Sequence, residues 1–148
     1  MINIISKKEK DTVKIAKLLA QEVLRKPLKI KKALIIGLEG DLGSGKTKFV
    51  QGFAKGIGIK ARLTSPTFVL MKKYKIPKKK NFNLYHIDCY RLNKPKELLV
   101  LDFEEIINNP QNIILIEWAE KIKRILPKNI IWIKFEIVSP RERKIVII

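Results

Sequence analysis

The sequence predicts an α/β fold in which a mixed central sheet is flanked by helices and residues 1–148 form a single domain. Segments with apolar residues at three- and four-residue steps alternate with short continuous apolar runs, which are typical of helices and buried strands, respectively. A glycine-rich loop joins one such run to a helical segment. A chain of 148 residues can bury a self-sufficient core.

The first forty residues contain an apolar run, a helical segment and a buried strand. Ser6 and Glu9 follow the run INII at capping-box spacing, so a helix should begin here. It should end before Pro27, because the residue preceding a proline disfavours helical angles. Ala33 to Leu38 is a continuous apolar run, as expected of a strand covered on both faces. The apolar face of the helix comprises Val13, Ala16, Leu19, Ala20, Val23 and Leu24.

The loop after this strand, GDLGSGKT at residues 40–47, fits the Walker A pattern of phosphate-binding loops. Its three glycines can adopt backbone angles that turn N–H groups inward around phosphate oxygens. Lys46 supplies a charge for the β- and γ-phosphates, Thr47 offers a hydroxyl to Mg²⁺, and a helix should follow over Lys46 to Ile57. The pattern predicts a P-loop NTPase-like domain. The predicted cofactor-binding residues of the loop are Gly40, Asp41, Leu42, Gly43, Ser44, Gly45, Lys46 and Thr47.

The second half of the chain should supply the remaining strands. TSPTFVLMKKY and NFNLYHIDCY flank IPKKK, which predicts two extended segments joined by an exposed basic hairpin. Pro95 to Ile107 has helical spacing, and Asn112 to Ile116 is another buried-type strand. A short helix should follow over Ala119 to Leu126. The last two strands should meet at a turn around residues 139–140.

Two carboxylates are candidates for the chemistry of the bound nucleotide. Hydrolysis or transfer needs a carboxylate near the metal, usually at the end of a neighbouring strand. Glu117 closes the run IILIE, and Asp88 closes LYHID. Either could hold Mg²⁺, directly or through water, or orient the attacking group. Either could instead be a helix cap or part of a surface ion pair.

Other polar residues near these strands have both a functional and a structural interpretation. The tract SPTF, residues 65–68, could sense the γ-phosphate through a hydroxyl, or simply form a turn before a strand. His86 lies two residues before Asp88 and on the same strand face, although a lone histidine is more often structural. Arg91 could neutralise charge in the transition state or pair with a carboxylate.

The composition is strongly basic, with 32 Lys and Arg against 14 Asp and Glu and a net charge of +18. Such a charge attracts polyanions such as tRNA, but a Lys/Ile-rich sequence can also arise from biased codon usage. The single cysteine cannot form an internal disulfide, and no Cys/His cluster has zinc spacing. Since no signal peptide or membrane segment is evident, we expect a cytoplasmic protein.

Four motifs, GDLGSGKT, SPTF, HIDCYR and IEWAEK, occur in this order, and the set resembles the TsaE family, also called YjeE. These are small bacterial ATPases of the threonylcarbamoyladenosine tRNA-modification system. The resemblance covers nearly the whole chain. It implies that Gly43 to Thr47 hold the phosphates of ATP, that Thr47 and Glu117 bind Mg²⁺, and that Asp88 is a second acidic group near the metal.

The resemblance also implies roles outside the loop. Thr12 matches a family position near the adenine, and Thr67 would lie in a switch-like loop. The family acts with two partner proteins, TsaB and TsaD, and ATP hydrolysis is thought to reset their complex between turnovers. The predicted catalytic residues are therefore Lys46, Thr67, Asp88 and Glu117.

Three other functions share some of these features. A GTPase is disfavoured because Asn93-Lys94 is not followed by the residues of the guanine-reading tetrapeptide Asn-Lys-x-Asp. A small P-loop kinase normally needs a lid of arginines, and the only arginine-dense stretch is Arg141 to Arg143. A basic RNA-binding module regulated by ATP is the third alternative.

Overall fold

The computed structural model describes residues 1–26, 29–64 and 70–148. The strands are β1 (Ile2–Ser6), β2 (Leu34–Gly40), β3 (Met71–Lys75), β4 (Asn83–Asp88), β5 (Asn112–Glu117), β6 (Ile131–Ile137) and β7 (Arg143–Ile147). The helices are α1 (Glu9–Arg25), α2 (Lys46–Gly56), α3 (Lys96–Leu99) and α4 (Phe103–Ile107), and a 3₁₀ helix covers Ala119–Ile125.

The strands form one seven-stranded sheet in the order β1-β7-β6-β2-β5-β4-β3. The four strands β6, β2, β5 and β4 are parallel neighbours. The pairs β1–β7, β6–β7 and β3–β4 are antiparallel. The predicted α/β fold with a mixed sheet is therefore confirmed.

Each face of the sheet is covered by its own hydrophobic core. Ile36 and Leu38 of β2 point toward α1 and α2, where they join Phe49 and Phe53. Ile35 points to the opposite core, which is closed by α3, α4 and the 3₁₀ helix. Successive side chains of a strand face opposite sides of the sheet. The continuous apolar runs of β2 and β5 thus reflect burial on both faces.

The predicted capping box at the start of α1 is wrong. The N-cap residue is Lys8, and its side chain makes no capping hydrogen bond. Ser6 is the last residue of β1, and its hydroxyl donates to the Lys8 carbonyl at 2.9 Å and bonds to Thr12 Oγ1 at 2.7 Å. Because Ser6 belongs to the sheet, its side chain joins strand to helix instead of capping the helix. The end of α1 at Arg25 agrees with the prediction.

The helical segment predicted from Pro95 to Ile107 is divided into α3 and α4. Asp102 lies between them with φ at 58°, in the left-handed region, which a continuous α-helix cannot contain. Leu98 and Phe103 are both buried in the core beneath, so each short helix still contributes apolar contacts. The basic hairpin between β3 and β4 is present as predicted.

None of the helices in the described ranges combines the length and apolar character needed to span a bilayer.

Candidate functional site

The glycine loop lies at the edge of the sheet where three parallel strands end. The loop follows β2, and its neighbour β5 ends at Glu117, opposite Leu38. The next strand, β4, ends at Asp88, which pairs with Glu117 in the parallel register. The carboxyl ends of parallel strands are the usual position of a binding site in α/β folds. A cavity of about 890 Å³ opens here, lined by Thr12, Gly43, Lys46, Thr47, Asp88 and Glu117.

The backbone of the loop requires glycine at the residue that precedes α2. Gly45 is the N-cap of α2 and has a φ of 104°, where a side chain would be strained. This conformation turns the chain sharply into the first turn of α2. The residues of that turn line the cavity, and the positive end of the helix favours an anion there.

Lys46 is buried and bends back over the loop. Its ammonium group donates to the carbonyls of Gly40 and Asp41, at 2.5 and 2.9 Å, and lies 4.1 Å from the centre of the Trp118 ring. Burial lowers the pKa of Lys46, and the nearby carboxylate of Glu117 opposes that shift. The ammonium group of Lys46 is thus held beside the loop by two carbonyls and the Trp118 ring.

Glu117 is buried at the end of β5, and both of its carboxylate oxygens have partners. The Thr47 hydroxyl donates to Oε1 at 2.8 Å, and His86 Nε2 lies 2.6 Å from Oε2. Glu117 is 2% exposed, so it forms no surface ion pair. His86 is fully buried beside it and therefore lies in the candidate site. The structure brings the predicted pair Thr47 and Glu117 into direct contact.

The oxygen atoms around Thr47 fit a magnesium ion that is shared with a nucleotide. Thr47, Asp88 and Glu117 supply a hydroxyl and carboxylates, the ligand type that Mg²⁺ prefers. Among the described residues, no group of three or more His, Cys, Asp or Glu could hold a metal ion. Mg²⁺ is commonly bound through one or two carboxylates together with substrate phosphates. The residue types present therefore fit a magnesium ion that is also bound by phosphates.

Thr12 brings the start of α1 to the loop. Its side chain is buried, bonds to Ser6, and lies where a Cβ on Gly45 would be 3.8 Å from its methyl group. Lys8 and Glu9, at the beginning of the same helix, also line the cavity. The first turn of α1 thus forms one wall of the cavity.

The other predicted loop residues occupy different positions. Gly40 and Asp41 contribute the carbonyls that hold Lys46, rather than lining the cavity. Ser44 is buried, and Leu42 lines the cavity with 72% of its surface exposed. Thr67 and the rest of the tract 65–68 lie outside the described residues.

An arginine that the sequence motifs do not indicate also contacts the loop. Arg143, the first residue of β7, donates through Nε and Nη2 to the Gly43 carbonyl, at 3.2 and 3.0 Å. Its Nη1 donates to Ser139 in the turn before β7. Arg141 and Pro140 of this turn line the cavity as well. The arginine-dense stretch was the available signal, but the sequence did not show that β7 begins near the loop.

The remaining candidates also lie around this edge. Arg91 and Tyr90 follow β4 and line the cavity. The Tyr90 and Trp118 rings are in contact, with centroids 5.2 Å apart. The basic hairpin precedes β4, whereas Asp88 ends it, so the hairpin lies at the opposite edge of the sheet from the site.

The sequence of this chain matches a known protein family over most of its length. The family model described as "Threonylcarbamoyl adenosine biosynthesis protein TsaE" matches residues 6–145. A Rickettsia felis protein named tRNA threonylcarbamoyladenosine biosynthesis protein TsaE is 41% identical over 141 residues, which are 95% of this chain and 75% of that protein. A Bacillus subtilis protein of the same name is 40% identical over 114 residues, 75% of this chain and 66% of its own length.

A solved structure shows the same fold. The crystal structure of Bacillus subtilis YdiB superposes with a TM-score of 0.72 at 33% sequence identity. The match covers 97% of this chain and 82% of that one.

Proposed function

We propose an ATP-binding and ATP-hydrolysing function, with Mg²⁺, for this chain, which belongs to the TsaE family of threonylcarbamoyl adenosine biosynthesis proteins. Membership of the family assigns the chain a role in the biosynthesis of threonylcarbamoyladenosine in tRNA. The observation that carries the ATPase proposal is the hydrogen bond between Thr47 and Glu117, which are 70 positions apart in sequence. It joins the glycine loop to a buried carboxylate at the mouth of the cavity.

The residues of the site have distinct parts in this proposal. Lys46 exchanges its bonds with the loop carbonyls for bonds with phosphate oxygens. Glu117 holds Thr47 and provides the buried negative charge, and Asp88 provides a second one at the adjacent strand end. A bound Mg²⁺ would neutralise charge on the phosphates. Thr12 lines the same cavity and lies on the side where we place the adenine.

We further propose that the isolated chain hydrolyses ATP slowly and that TsaB and TsaD stimulate it in the cytoplasm. Most of the catalytic contribution in phosphoryl transfer comes from positioning and electrostatic stabilisation. In this structure Lys46 contacts its own loop, so its transfer to the phosphates is a step that a partner can favour.

Turnover of ATP, measured with and without TsaB and TsaD, tests this function. Lys46→Ala should abolish nucleotide binding, while Glu117→Ala should retain much of the binding and lose turnover. Lys55→Ala is the matched control for Lys46, because it removes the same charge from an exposed position of α2. Parent-level hydrolysis by Lys46→Ala would show that the site is misplaced. Equal rates with and without the partners would contradict the partner role.

A kinase is the second candidate, and Arg141 and Arg143 favour it because they line the cavity. Arginines beside transferred phosphates stabilise the charge of the transition state. The two functions differ in their products. An ATPase releases one inorganic phosphate for each ADP, whereas a kinase forms ADP and transfers the phosphoryl group to an acceptor.

A basic RNA-binding module is a third candidate, supported by the net charge of +18. Filter binding of tRNA to the isolated chain at several salt concentrations tests it. Strong binding with a steep salt dependence would favour this function over that of an ATPase subunit, since each released counterion contributes to the slope.

A further inference from the structure

We infer that His86 is a positioning residue that fixes the carboxylate of Glu117 toward Thr47 and the magnesium–nucleotide complex. This inference rests on the proposed function, since it assigns a role within the same site. His86 itself does not line the cavity. It acts through Glu117, whose Oε2 lies 2.6 Å from its Nε2.

Burial makes this hydrogen bond costly to lose. His86 is 0% exposed and Glu117 is 2% exposed, so water cannot readily replace either partner. Leaving a buried acceptor unsatisfied destabilises the protein, and more so when the acceptor is charged. Without His86, the carboxylate would therefore gain by turning toward another donor.

Two different elements hold the two oxygens of this carboxylate. Thr47, at the start of α2, donates to Oε1, and His86, on β4, contacts Oε2. Because β4 and β5 are adjacent parallel strands, the backbone register fixes His86 and Glu117 relative to each other. The carboxylate cannot rotate without breaking one of the two bonds. This arrangement presets the orientation in which Glu117 meets the Thr47 hydroxyl.

The other ring nitrogen of His86 points to the same role. Nδ1 is buried and has no hydrogen-bond partner among the described residues. A carboxylate only accepts hydrogen bonds, so in the bond to Glu117 it is Nε2 that carries the hydrogen. Buried polar atoms are normally satisfied, and an exception needs an explanation. The position of the ring therefore favours the bond from Nε2 to Glu117, and carboxylates that bind a metal are themselves commonly held by hydrogen bonds of this kind.

Two amide substitutions separate positioning from general packing. The amide nitrogen of glutamine is as many bonds from Cα as His Nε2, whereas that of asparagine is one bond shorter. His86→Gln can therefore restore the bond to Glu117, and His86→Asn cannot. The measurement is calorimetric binding of a non-hydrolysable ATP analogue at increasing Mg²⁺ concentration, with circular dichroism to verify folding.

We expect His86→Asn to raise the Mg²⁺ concentration needed for half-maximal binding by about tenfold or more, within the range seen for residues that orient metal ligands. His86→Gln should stay within about threefold of the parent. Asn112→Ala is the matched control. Asn112 is also buried with one unpartnered atom, but it lies at the other end of β5. It should lower thermal stability without changing the Mg²⁺ requirement.

Other outcomes would overturn the inference. If both His86 variants bind the analogue with the parent's Mg²⁺ requirement and only melt earlier, His86 is a packing residue and the proposed ATP site stands. If His86→Gln raises the Mg²⁺ concentration needed for half-maximal binding as much as His86→Asn does, the bond from Nε2 does not explain the effect. If the parent itself binds no nucleotide with Mg²⁺, the proposed function and the inference both fail.

Discussion

At the scale of single residues, the contact between Lys46 and Trp118 couples the charge of the site to an aromatic ring. The ammonium group lies 4.1 Å from the ring centre, a distance at which cation–π attraction contributes about 0.5–2 kcal/mol. It also donates to two loop carbonyls. A phosphate must therefore displace existing contacts when it recruits Lys46.

We expect this displacement to change the fluorescence of Trp118 when ATP and Mg²⁺ are added. Trp132→Phe leaves Trp118 as the only tryptophan, because the sequence contains two. Emission from this variant should change with ATP concentration along the calorimetric binding curve. The reciprocal variant, Trp118→Phe, reports from Trp132 and serves as the control. An equal response from both would show that the signal does not come from the contact with Lys46.

The single cysteine should be unreactive in the folded protein. Burial, reinforced by the charge of Asp88, raises the pKa of the Cys89 thiol to about 12. At pH 8 a thiol with this pKa is thiolate in only about one molecule in ten thousand, and the thiolate is the reactive form. We expect iodoacetamide to label Cys89 in denaturant and to leave the folded chain unlabelled over the same period. Rapid labelling of the folded chain would show that the core around Cys89 opens readily.

At the scale of elements, α1 and α2 pack so closely that side chains are excluded at the contact. A Cβ on Gly52 would lie 2.4 Å from the Val13 carbonyl oxygen, and one on Gly56 would lie 2.7 Å from that of Lys17. Both obstacles are backbone atoms, which cannot rotate away. The small residues of α2 thus set the distance between the helices, and with it the distance between Thr12 and the loop.

Gly52→Ala should destabilise the protein by about 1–3 kcal/mol, the usual cost of overpacking. Alanine is favoured over glycine within a helix by about 1 kcal/mol, so a net loss would show that the contact outweighs helix propensity. Chemical denaturation measures the free energy of unfolding. Lys55→Ala on the exposed face of α2 is the control and should change that free energy by less than about 0.5 kcal/mol. A stabilising Gly52→Ala would contradict the close packing.

The elements that the sequence predicted well depend on local patterns. The segment β2, glycine loop and α2 is contiguous, and its apolar run, glycines and helical spacing each indicate structure without reference to the rest of the chain. The parallel strands β4 and β5 follow from their apolar runs, and their polar ends indicated Asp88 and Glu117. Since parallel strands end at one edge of a sheet, these residues could be assigned to the site in advance.

The unpredicted features depend on contacts that sequence spacing does not encode. The capping box failed because Ser6 belongs to β1 and bonds to Thr12. The division of the helix after Pro95 depends on Asp102, whose left-handed angles are visible only in the fold. Arg143 contacts Gly43 because the sheet order places β7 beside β6, which in turn pairs with β2.

At the scale of the whole molecule, positive charge exceeds negative charge by 18. Like charges on a compact surface repel one another, and this repulsion destabilises the folded state. Salt weakens it, because the screening length falls from about 30 Å at 0.01 M to about 10 Å at 0.1 M. The stability of this protein should therefore depend on ionic strength.

We expect the melting temperature to rise between 0.01 and 0.1 M NaCl, by about 2–4 °C for each kcal/mol of repulsion removed. Scanning calorimetry in the two salt concentrations measures it. Sucrose at matched osmolality is the control, since it leaves the electrostatic repulsion unscreened. A melting temperature that falls with added NaCl would mean that attractive ion pairs outweigh the repulsion.

The hydrogen bonds from Arg143 to Gly43 join residues that are 100 positions apart. During translation, the glycine loop leaves the ribosome long before the strand that carries Arg143. A nascent chain therefore contains the complete phosphate-binding motif while one of its anchors has not yet been synthesised. Premature termination within this interval would yield a protein whose motif is intact in sequence but whose loop has lost that support.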